Sequence, residues 1–375
     1  MSEWKECTLG EVLNLRRGYD LPHSEMKEGI IPVAGSNGII GTHNIATEME
    51  PCITVGRSGS AGSTFYYDKA WAHNTTLYID DFKGNDPKYL YYLLLSLPLK
   101  KMAGGSAVPS LNRNHIHPLN IKFPCTIETQ QRIASILSSL DSKIECNRKI
   151  CANLEAQAQA LFKHWFIDFA PFKEGKFVES ELGMIPEGWR VGRLGEIAEI
   201  VKPSVKPKDG IVYSHYSIPA FDNGEKPSND NGETIKSNKF AIKDCVTMLS
   251  KLNPDHKRIW FVDEVENNAV CSTEFLPFYA KNSEQSYFVY CYLNCMQNYR
   301  EIANGAKGTT NSHQRIDANA ILSRTLAYNT NAITKFCNII EEILKQKNHA
   351  IQESSRLSTL RDTLLPKLMS GQIKV

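Results

Sequence analysis

"GWRVGRLGEIAEI", residues Gly188 to Ile200, repeats in the middle of the chain a pattern that already stands at its beginning. The opening stretch is "WKECTLGEVLNL". A shift of 185 positions superposes four pairs of identical residues: Trp4 and Trp189, Leu9 and Leu194, Gly10 and Gly195, and Glu11 and Glu196. Internal repetition decides the architecture of a chain. A chain in which the N-terminal pattern occurs a second time is expected to contain two related domains.

Three later matches keep the same order along the chain while the shift between the copies grows. "CITV" at 52–55 resembles "CVTM" at 245–248, Gly105 and Ile116 match Gly305 and Ile316, and Leu154, Leu161 and Phe162 match Leu357, Leu364 and Leu365. The shifts are 193, 200 and 203 positions. Four matches in one order predict a tandem duplication with insertions in the second copy. The alternative is two unrelated domains with coincidental local similarity.

The first copy ends in a long apolar stripe. Its positions alternate in steps of four and three residues, and neither Pro nor Gly occurs between Thr126 and Ala170. This heptad pattern predicts a helix over residues 128–169, roughly 50 Å long in its striped part, whose seam needs a helical partner. The seam consists of Ile133, Leu137, Leu140, Ile144, Leu154, Leu161 and Trp165, with Asn147, Cys151 and Ala158 between them.

The second copy supplies the partner, a helix predicted over residues 331–375. Its seam residues are Phe336, Ile340, Ile343, Leu357, Leu364 and Leu368. The apolar line is interrupted at Lys347, Ala350, Ser354 and Arg361, so we expect a neighbouring row to share the contact, namely Ile339, Ile351 and Leu360. An antiparallel pair suits a domain–helix–domain–helix chain best. Asn147 either fixes the register of the pair from a buried position or lies at an exposed edge of the seam.

The sequence predicts an α+β fold, with two tandem mixed α/β domains at residues 1–127 and 189–330. The two long helices would pack as an antiparallel coiled coil with a pseudo-two-fold axis, and residues 170–188 would form a linker. Strands are predicted within residues 29–45, 52–67 and 74–79, and a helix begins at Pro87 with Asp86 as its N-cap. Its counterpart is "EQSYFVYCYLNCMQNYREI", in which Cys291 and Cys295 fit one helix face. The polar residues 217–239 are typical of an exposed loop.

The composition fits globular domains without a global electrostatic signature. Of 375 residues, 42% are apolar and 22% charged, and the net charge of +2 means that any nucleic-acid footprint must be local. No apolar run is long enough for a membrane span, and the N-terminus lacks the layout of a signal peptide. Ten scattered cysteines without CxxC or zinc spacing are expected to be buried, reduced thiols in a cytoplasmic protein.

Catalytic and ligand-binding motifs are missing from the sequence. "GRSGSAG" at 56–62 is not a phosphate-binding GxxxxGK[ST] loop, and the residues after it are typical of a strand rather than a helix. "NPDH" at 253–256 lacks the second Pro and the aromatic residue of the amino-methyltransferase motif. HExxH and GxSxG do not occur. We therefore expect no catalytic residue, no metal site and no cofactor.

The loops of both halves combine hydrogen-bonding side chains with local positive charge. Arg suits guanine, Asn and Gln suit adenine, and Lys and Arg also hold phosphates. Such residues are DNA-contact candidates, although each alone is equally a polar turn residue facing water. The candidates are Ser36, Asn37, Arg57, Ser58, Ser60, His73, Asn74, Ser110, Asn112, Arg113, Lys251, Asn253, Lys257, Arg258, Thr309, Thr310, Asn311, His313 and Arg315.

Duplication, long heptad helices and polar-loop domains together resemble the DNA specificity subunits (S subunit, HsdS) of type I restriction-modification systems. The likeness is carried by the two Trp-x-x-x-x-Leu-Gly-Glu starts, by "IPVAGSNGIIG" and "GGSAVPSLNRNHI", by "ETQQRIASILSSLDSKIECNRKI" and by the terminal "LRDTLLPKLMSGQIKV". It covers essentially the whole chain.

The resemblance implies that each globular half is a target recognition domain reading one half of a bipartite site in double-stranded DNA. The helix pair would set the gap and dock two methyltransferase (M) subunits, and restriction/translocase (R) subunits would complete the enzyme. The chain itself would have no active site and no membrane partner. Two alternatives stay open: a fused methyltransferase or nuclease with its own recognition domains, and a coiled-coil adaptor that does not bind DNA.

Overall fold

A computed structural model describes residues 4–104, 110–306 and 314–375 of the chain. The chain divides into two compact units. Unit 1 combines Met1–Arg148 with Ile351–Val375, and unit 2 is Lys149–Ala350. Each unit therefore contains one of the predicted globular domains together with a segment of each long helix.

The elements of the first globular part and the first long helix follow the sequence predictions closely. In chain order they are β1 (Trp4–Thr8), α1 (Leu9–Val12), β2 (Asn14–Arg17), β3 (Ile31–Gly35), β4 (Gly38–His43), β5 (Cys52–Gly56), β6 (Thr64–Tyr67), β7 (Trp71–Ala72), β8 (Thr76–Asp81), α2 (Pro87–Ser96), α3 (Arg113–Ile116), β9 (Asn120–Pro124) and α4 (Ile127–Phe166). The predicted strands and the helix from Pro87 are confirmed.

The second part repeats this order with additional elements. They are β10 (Phe177–Ser180), β11 (Gly183–Pro186), β12 (Arg190–Arg193), α5 (Leu194–Ile197), β13 (Ala198–Ile200), β14 (Ser204–Val205), β15 (Val212–Tyr216), α6 (Ile218–Asp222), β16 (Ser228–Asn231), β17 (Lys239–Ala241), β18 (Val246–Ser250), β19 (Ile259–Val262), β20 (Ala269–Cys271), β21 (Phe275–Ala280), α7 (Ser286–Asn294), α8 (Met296–Asn304), α9 (Ala318–Leu322), β22 (Thr325–Tyr328) and α10 (Thr330–Met369).

The sheets of the two units share one topology. Unit 1 has a four-stranded antiparallel sheet in the order β2-β8-β5-β6, and unit 2 has β13-β21-β18-β19. In unit 1, β3 pairs with β4 antiparallel and with β7 parallel, and in unit 2, β15 pairs in the same way with β16 and β20. The ladders β1–β9 and β12–β22 also correspond. The tandem duplication and the mixed α/β fold class are therefore confirmed.

The repeated Leu-Gly-Glu motif forms the same local contacts in both units. Glu11 accepts a hydrogen bond from the backbone N–H of Thr8, and Glu196 accepts one from Arg193, so each carboxylate caps the start of a short helix, α1 or α5. Leu9 and Leu194 are fully buried. The glycine of the motif has little room for a side chain, because a Cβ at Gly10 would lie 3.0 Å from the His117 side chain.

Two of the sequence matches are wrong in register. Cys52 corresponds to Val246 rather than to Cys245, because Arg57 and Lys251 directly follow the equivalent strands β5 and β18. The Leu111 N–H donates to the Arg57 carbonyl, and the Ile316 N–H donates to the Lys251 carbonyl, so Ile316 corresponds to Leu111 rather than to Ile116. The buried counterpart of Ile116 in α3 is Ile321 in α9. The insertions in the second copy shift this alignment by five positions, which short identities could not detect.

The polar stretch 217–239 is not the exposed loop that its composition predicts. It forms α6 and β16, and β16 pairs with β15 in the five-stranded sheet β14-β17-β20-β15-β16. Ala220 and Ile235 are buried in the core of unit 2. A few apolar residues among many polar ones thus fix the segment to a sheet.

The predicted second helix of the globular part is divided in two. The Cys295 backbone has φ −57 and ψ 124 and separates α7 from α8. Cys291 and Cys295 are both buried but do not share one helix face, which corrects the sequence expectation. The predicted linker, residues 170–188, contains the hairpin β10–β11, whose Ile185 joins the unit 2 core.

The two long helices pack antiparallel within each unit. In unit 1, Asp141 of α4 contacts Arg361 of α10, and Asn147, further along α4, contacts Glu353, further back along α10. In unit 2, Glu155 contacts Lys347, while Phe162 lies against Phe336. All of the predicted seam residues are buried or half-buried, so the predicted antiparallel packing is confirmed.

The seam keeps its heptad line through the polar interruptions. Ala350 is buried, and the side chains of Lys347 and Arg361 are only 16% and 30% exposed. The expected neighbouring row is wrong at two positions, because Ile339 and Leu360 are exposed. Lys347 and Arg361 stay on the seam because each forms an ion pair with a carboxylate of α4.

Asn147 takes the buried alternative. Its side chain is 1% exposed, and its amide donates to Glu353 over 2.7 Å. A buried amide loses its partner if the helices slide, so this residue favours one register. None of the described helices is long and apolar enough to cross a membrane.

Replacing Asp86 with alanine is expected to lower the free energy of unfolding by about 1 kcal/mol, because its carboxylate caps α2 by accepting a 2.7 Å hydrogen bond from the Tyr89 N–H. Urea denaturation of the full chain measures the change. Asp68→Ala, at an exposed position before β7, is the matched control and should change stability little. Equal effects of the two substitutions would contradict the capping role.

Candidate nucleic-acid interface

A pocket of about 380 Å³ in unit 1 gathers four arginines. We call it the arginine pocket. Its described lining residues include no carboxylate. They are Arg16, Arg17, Arg57, Leu77, Ser110, Leu111, Asn112 and Arg113.

Three neighbouring elements bring these side chains together. Arg16 and Arg17 lie at the end of β2, Arg57 directly follows β5, and Asn112 and Arg113 begin α3. The Leu111 N–H donates to the Arg57 carbonyl over 2.7 Å, which ties the last two segments together. The strand order β2-β8-β5 places the ends of β2 and β5 in the same sheet.

Close backbone packing shapes the loop after β5. A Cβ on Gly56 would lie 2.3 Å from the carbonyl oxygen of Ser60 and 2.8 Å from that of Ser36, so only glycine fits there. In the neighbouring segment, Asn112 caps α3, because its side-chain oxygen accepts a 3.0 Å hydrogen bond from the Asn114 N–H. The sequence therefore fixes both loops that carry the pocket.

Among the described residues, the guanidinium groups of the pocket have few partners. Arg17 donates to the Asn74 carbonyl over 3.4 Å, and Arg113 donates to the Leu15 carbonyl over 3.4 Å. Arg16 lies over the Tyr19 ring at 5.6 Å. An arginine carries five N–H donors in a planar fork, so most donors of the pocket stay available. Such a cluster can bind a phosphate or the acceptor edge of guanine.

Several predicted contact residues of unit 1 form internal hydrogen bonds instead of facing the pocket. The Ser36 hydroxyl donates to the Thr75 carbonyl, and Asn74 donates to Asp20. His73 bonds to the Thr75 hydroxyl over 3.0 Å, and burial lowers the pKa of its imidazole, which is therefore neutral near pH 7. Ser60 and Asn37 bond to each other over 3.3 Å, and Asn37 is exposed. Ser58 forms a backbone bridge to Ser110.

The corresponding loops of unit 2 carry cations that have acidic or carbonyl partners. The carboxylate of Glu274 lies 3.1 Å from Arg315 and 4.0 Å from Lys251. Arg258 donates two hydrogen bonds to Asp222, at 2.7 and 3.0 Å. Arg258 is therefore held in a fixed orientation, and part of the positive charge of these loops is neutralised.

Lys257 points toward the interior of unit 2. Its ammonium donates to the Asn294 carbonyl, and burial lowers the pKa of this group. Asn253 adopts a left-handed conformation with φ 54 and its N–H donates to the Gln314 carbonyl, so it shapes the turn before β19. The remaining predicted contacts lie outside the described residues: Thr309, Thr310, Asn311 and His313.

Replacing Glu274 with glutamine is expected to strengthen binding to non-specific duplex DNA, because it removes the carboxylate that neutralises Arg315 and Lys251. Each additional phosphate contact steepens the dependence of log K on log salt by about 0.9. Titrations at several salt concentrations measure this slope. Glu266→Gln, at an exposed position, is the matched control. An unchanged slope in the Glu274 variant would mean that these cations do not contact phosphate.

Arg16 and Arg17 were not among the predicted contact residues. They follow the repeated start in "NLRRG", and an arginine pair directly before Gly18 was the available signal. A second cavity, about 600 Å³, lies in unit 2 between α4, the β10–β11 hairpin and β22. Its lining is dominated by apolar residues, and its Arg324 pairs with Glu301, so it lacks the character of an anion site. Within the described residues, no group of three His, Cys, Asp or Glu side chains is arranged to hold a metal.

Comparison with known proteins assigns the family. A model described as the type I restriction modification DNA specificity domain matches residues 1–156. The MjaIX specificity subunit of a type I restriction enzyme from Methanocaldococcus jannaschii is 32% identical over 311 residues, which cover 77% of this chain and 69% of the relative. This chain belongs to the type I restriction enzyme specificity subunits.

A second curated relative and a solved structure are also similar to this chain. The HindI specificity subunit of Haemophilus influenzae is 26% identical over 364 residues, which cover 76% of this chain and 77% of the relative. The S subunit of a type I system from M. genitalium has a TM-score of 0.60 at 19% identity and covers 98% of this chain and 96% of its own, which shows a shared fold. In the present specificity subunit, the matched residues 1–156 include the arginine pocket.

Proposed function

We propose that this specificity subunit reads a bipartite sequence in double-stranded DNA, one half-site with each globular domain. The recognition domains are residues 1–127 and 189–330, joined by the spacer segments 128–169 and 331–375, which correspond to α4 and α10, and by the linker 170–188, which carries the β10–β11 hairpin. The observation that carries the proposal is the arginine pocket. Four arginines at the ends of β2 and β5 and at the start of α3, with no carboxylate among the described lining residues, suit the negative potential and acceptor edges of a DNA groove.

The different chemistry of the two units supports reading two different half-sites. The pocket of unit 1 presents mainly arginine forks, which suit guanine and phosphate. The corresponding loops of unit 2 combine Lys251, Asn253 and Arg315 with the carboxylate of Glu274, which can accept a hydrogen bond from the amino group of cytosine. The duplicated fold thus provides two recognition domains, and their diverged loops favour different half-site sequences.

The helix pair would set the gap between the half-sites and dock two methyltransferase subunits. Restriction/translocase subunits would then complete the complex in a reducing cytoplasm, where ten free thiols persist. The proposal assigns methylation and cleavage to these partners and only recognition to this chain. The family membership and the seam between α4 and α10 support this division.

Mapping of methylated adenines in cells that carry the complete system tests the proposal. We expect one bipartite sequence with a fixed gap, and footprinting of the complex should protect two short patches. Absence of protection in the presence of the methyltransferase partner would instead favour a coiled-coil adaptor. Binding of S-adenosylmethionine by the isolated chain would favour the fused enzyme.

A further inference from the structure

Each unit contains a carboxylate that joins the two long helices to the globular domain. In unit 1, Asp141 of α4 accepts from Arg361 of α10 over 2.7 Å and from the Tyr92 hydroxyl of α2 over 2.6 Å. We call these three residues the Asp141 cluster. Burial and the neighbouring carboxylate raise the pKa of Tyr92, so its hydroxyl stays a proton donor.

Unit 2 contains the corresponding Glu155 cluster. Glu155 of α4 accepts from Lys347 of α10 over 2.8 Å, from the Tyr290 hydroxyl of α7 over 2.6 Å and from the Asn294 amide. The side chains of Glu155 and Lys347 are 23% and 16% exposed. Burial opposes the charge of Glu155, but the ammonium of Lys347 and the hydrogen bonds outweigh it and lower the pKa of the carboxyl.

The two clusters are built from equivalent tyrosines but from opposite helix segments. "YLYY" at 89–92 corresponds to "YFVY" at 287–290, so Tyr92 and Tyr290 occupy the same position of the duplicated helix. In unit 1 the carboxylate belongs to the long helix that directly follows the domain. In unit 2 that helix is α10, and it contributes the cation, Lys347. As a result both acids lie on α4 and both bases lie on α10.

A second copy of α4 could not replace α10 without losing these partners. Under the shift of 203 that superposes the two heptad lines, Arg361 corresponds to Ala158 and Lys347 corresponds to Ile144. A pair of α4 helices would therefore leave Asp141 and Glu155 without a cation in both copies. Removing one partner of a part-buried ion pair leaves an uncompensated charge, which is strongly unfavourable.

The same argument applies to α10 and to the middle of the seam. A pair of α10 helices would place Leu344 opposite Arg361 and Ser358 opposite Lys347, so the cations would lose the carboxylates of α4, while Arg361 would keep Asp362 of its own helix. In a pair of α4 helices the buried Asn147 would face Ile150 instead of Glu353. The half-exposed ion pair between Lys143 and Glu353 has the opposite polarity, but it also joins α4 to α10 and would also be lost.

We propose that the Asp141 and Glu155 clusters select the helix partner, so that α4 binds α10 and neither helix binds a second copy of itself. The two halves of the chain are then obligate partners of each other. A cell that contains several copies of this chain forms complexes with one of each recognition domain. This choice of helix partner does not depend on DNA binding and can be measured without DNA.

The test starts from the folded full chain, with a protease recognition sequence inserted between the exposed residues Glu174 and Gly175. Cleaved wild-type chain is incubated with cleaved chain that carries Glu155→Lys and Lys347→Glu, and native mass spectrometry counts the pairings. Matched fragments are expected to exceed mismatched fragments at least tenfold. Statistical re-sorting of the fragments would overturn the proposal.

A second arm measures self-pairing. In a neutral variant with Asp141→Asn, Glu155→Gln, Lys347→Gln and Arg361→Gln, homodimers of each fragment should rise at least tenfold over wild type. The matched control neutralises the same number of charges within each helix: Glu145→Gln, Arg148→Gln, Glu341→Gln and Lys345→Gln. Homodimers that stay at the wild-type level in the neutral variant, or that rise equally in the control, would overturn the proposal. The re-sorting experiment decides the question if the neutral chain does not fold.

Discussion

A chain in which Arg57 and Arg113 are both replaced by glutamine is expected to bind its cognate DNA at least about 30-fold more weakly in complex with the methyltransferase partner. A well-placed arginine fork on a base or phosphate contributes about 1–3 kcal/mol, and both residues line the arginine pocket. Binding to the cognate duplex at constant salt measures the loss. Footprinting should show that only one of the two protected patches disappears, since unit 2 is unchanged.

The double variant has a matched control in the same unit. Lys5→Gln and Lys122→Gln remove two exposed cations from the β1–β9 ladder, outside the lining of the pocket. These substitutions should weaken binding only slightly and uniformly across sequences. An equal loss in the control would reduce the pocket to a general electrostatic contribution. Weakening of both footprint patches in the double variant would contradict a separate reader in each unit.

Insertion of seven residues into both long helices is expected to move methylation to sites with a gap about three base pairs wider. Seven residues lengthen a helix by about 10.5 Å and keep the heptad seam in phase, and DNA rises about 3.4 Å per base pair. The insertions belong between Arg148 and Lys149 in α4 and between Ala350 and Ile351 in α10, because these positions separate the two units. The contacts of the Asp141 cluster and the Glu155 cluster then remain intact.

Sequencing of methylated sites in cells reads out the gap. Sites with the native gap should lose methylation almost completely. Insertion into α4 alone is the control, and it should abolish methylation at every gap because it shifts the seam residues out of register. Methylation at an unchanged gap in the double-insertion chain would refute the role of the helix pair as the spacer.

Much of the fold was predictable because its signals are local or periodic. The heptad seam, the Asp86 cap and the repeated starts depend on residues a few positions apart, and the structure confirms each of them. The failures involve partners distant in sequence. Nothing near Lys347 indicates that Glu155 will neutralise it, and composition alone could not assign residues 228–231 to a sheet edge.

The candidate site was predictable only in part for the same reason. Arg57 and Arg113 stood in polar loops and were found, whereas Arg17 ends a strand and was not. Lys257 lies in a polar loop like its neighbours, but its ammonium donates a hydrogen bond to the Asn294 carbonyl and points into unit 2. The partner of a long side chain depends on which groups the tertiary fold brings within its reach, and the local sequence does not show these groups.

Unit 1 combines two segments that are distant in sequence, Met1–Arg148 and Ile351–Val375. Its core holds Leu368 and Met369 beside Leu9 and Val12. Domains commonly fold while the ribosome is still adding residues, beginning with the N-terminal one. Here the domain that is synthesised first lacks part of its interior until the end of α10 has been translated. A translation product that lacks this segment would therefore expose an unfinished apolar core in unit 1, which makes it a substrate for chaperones and proteases.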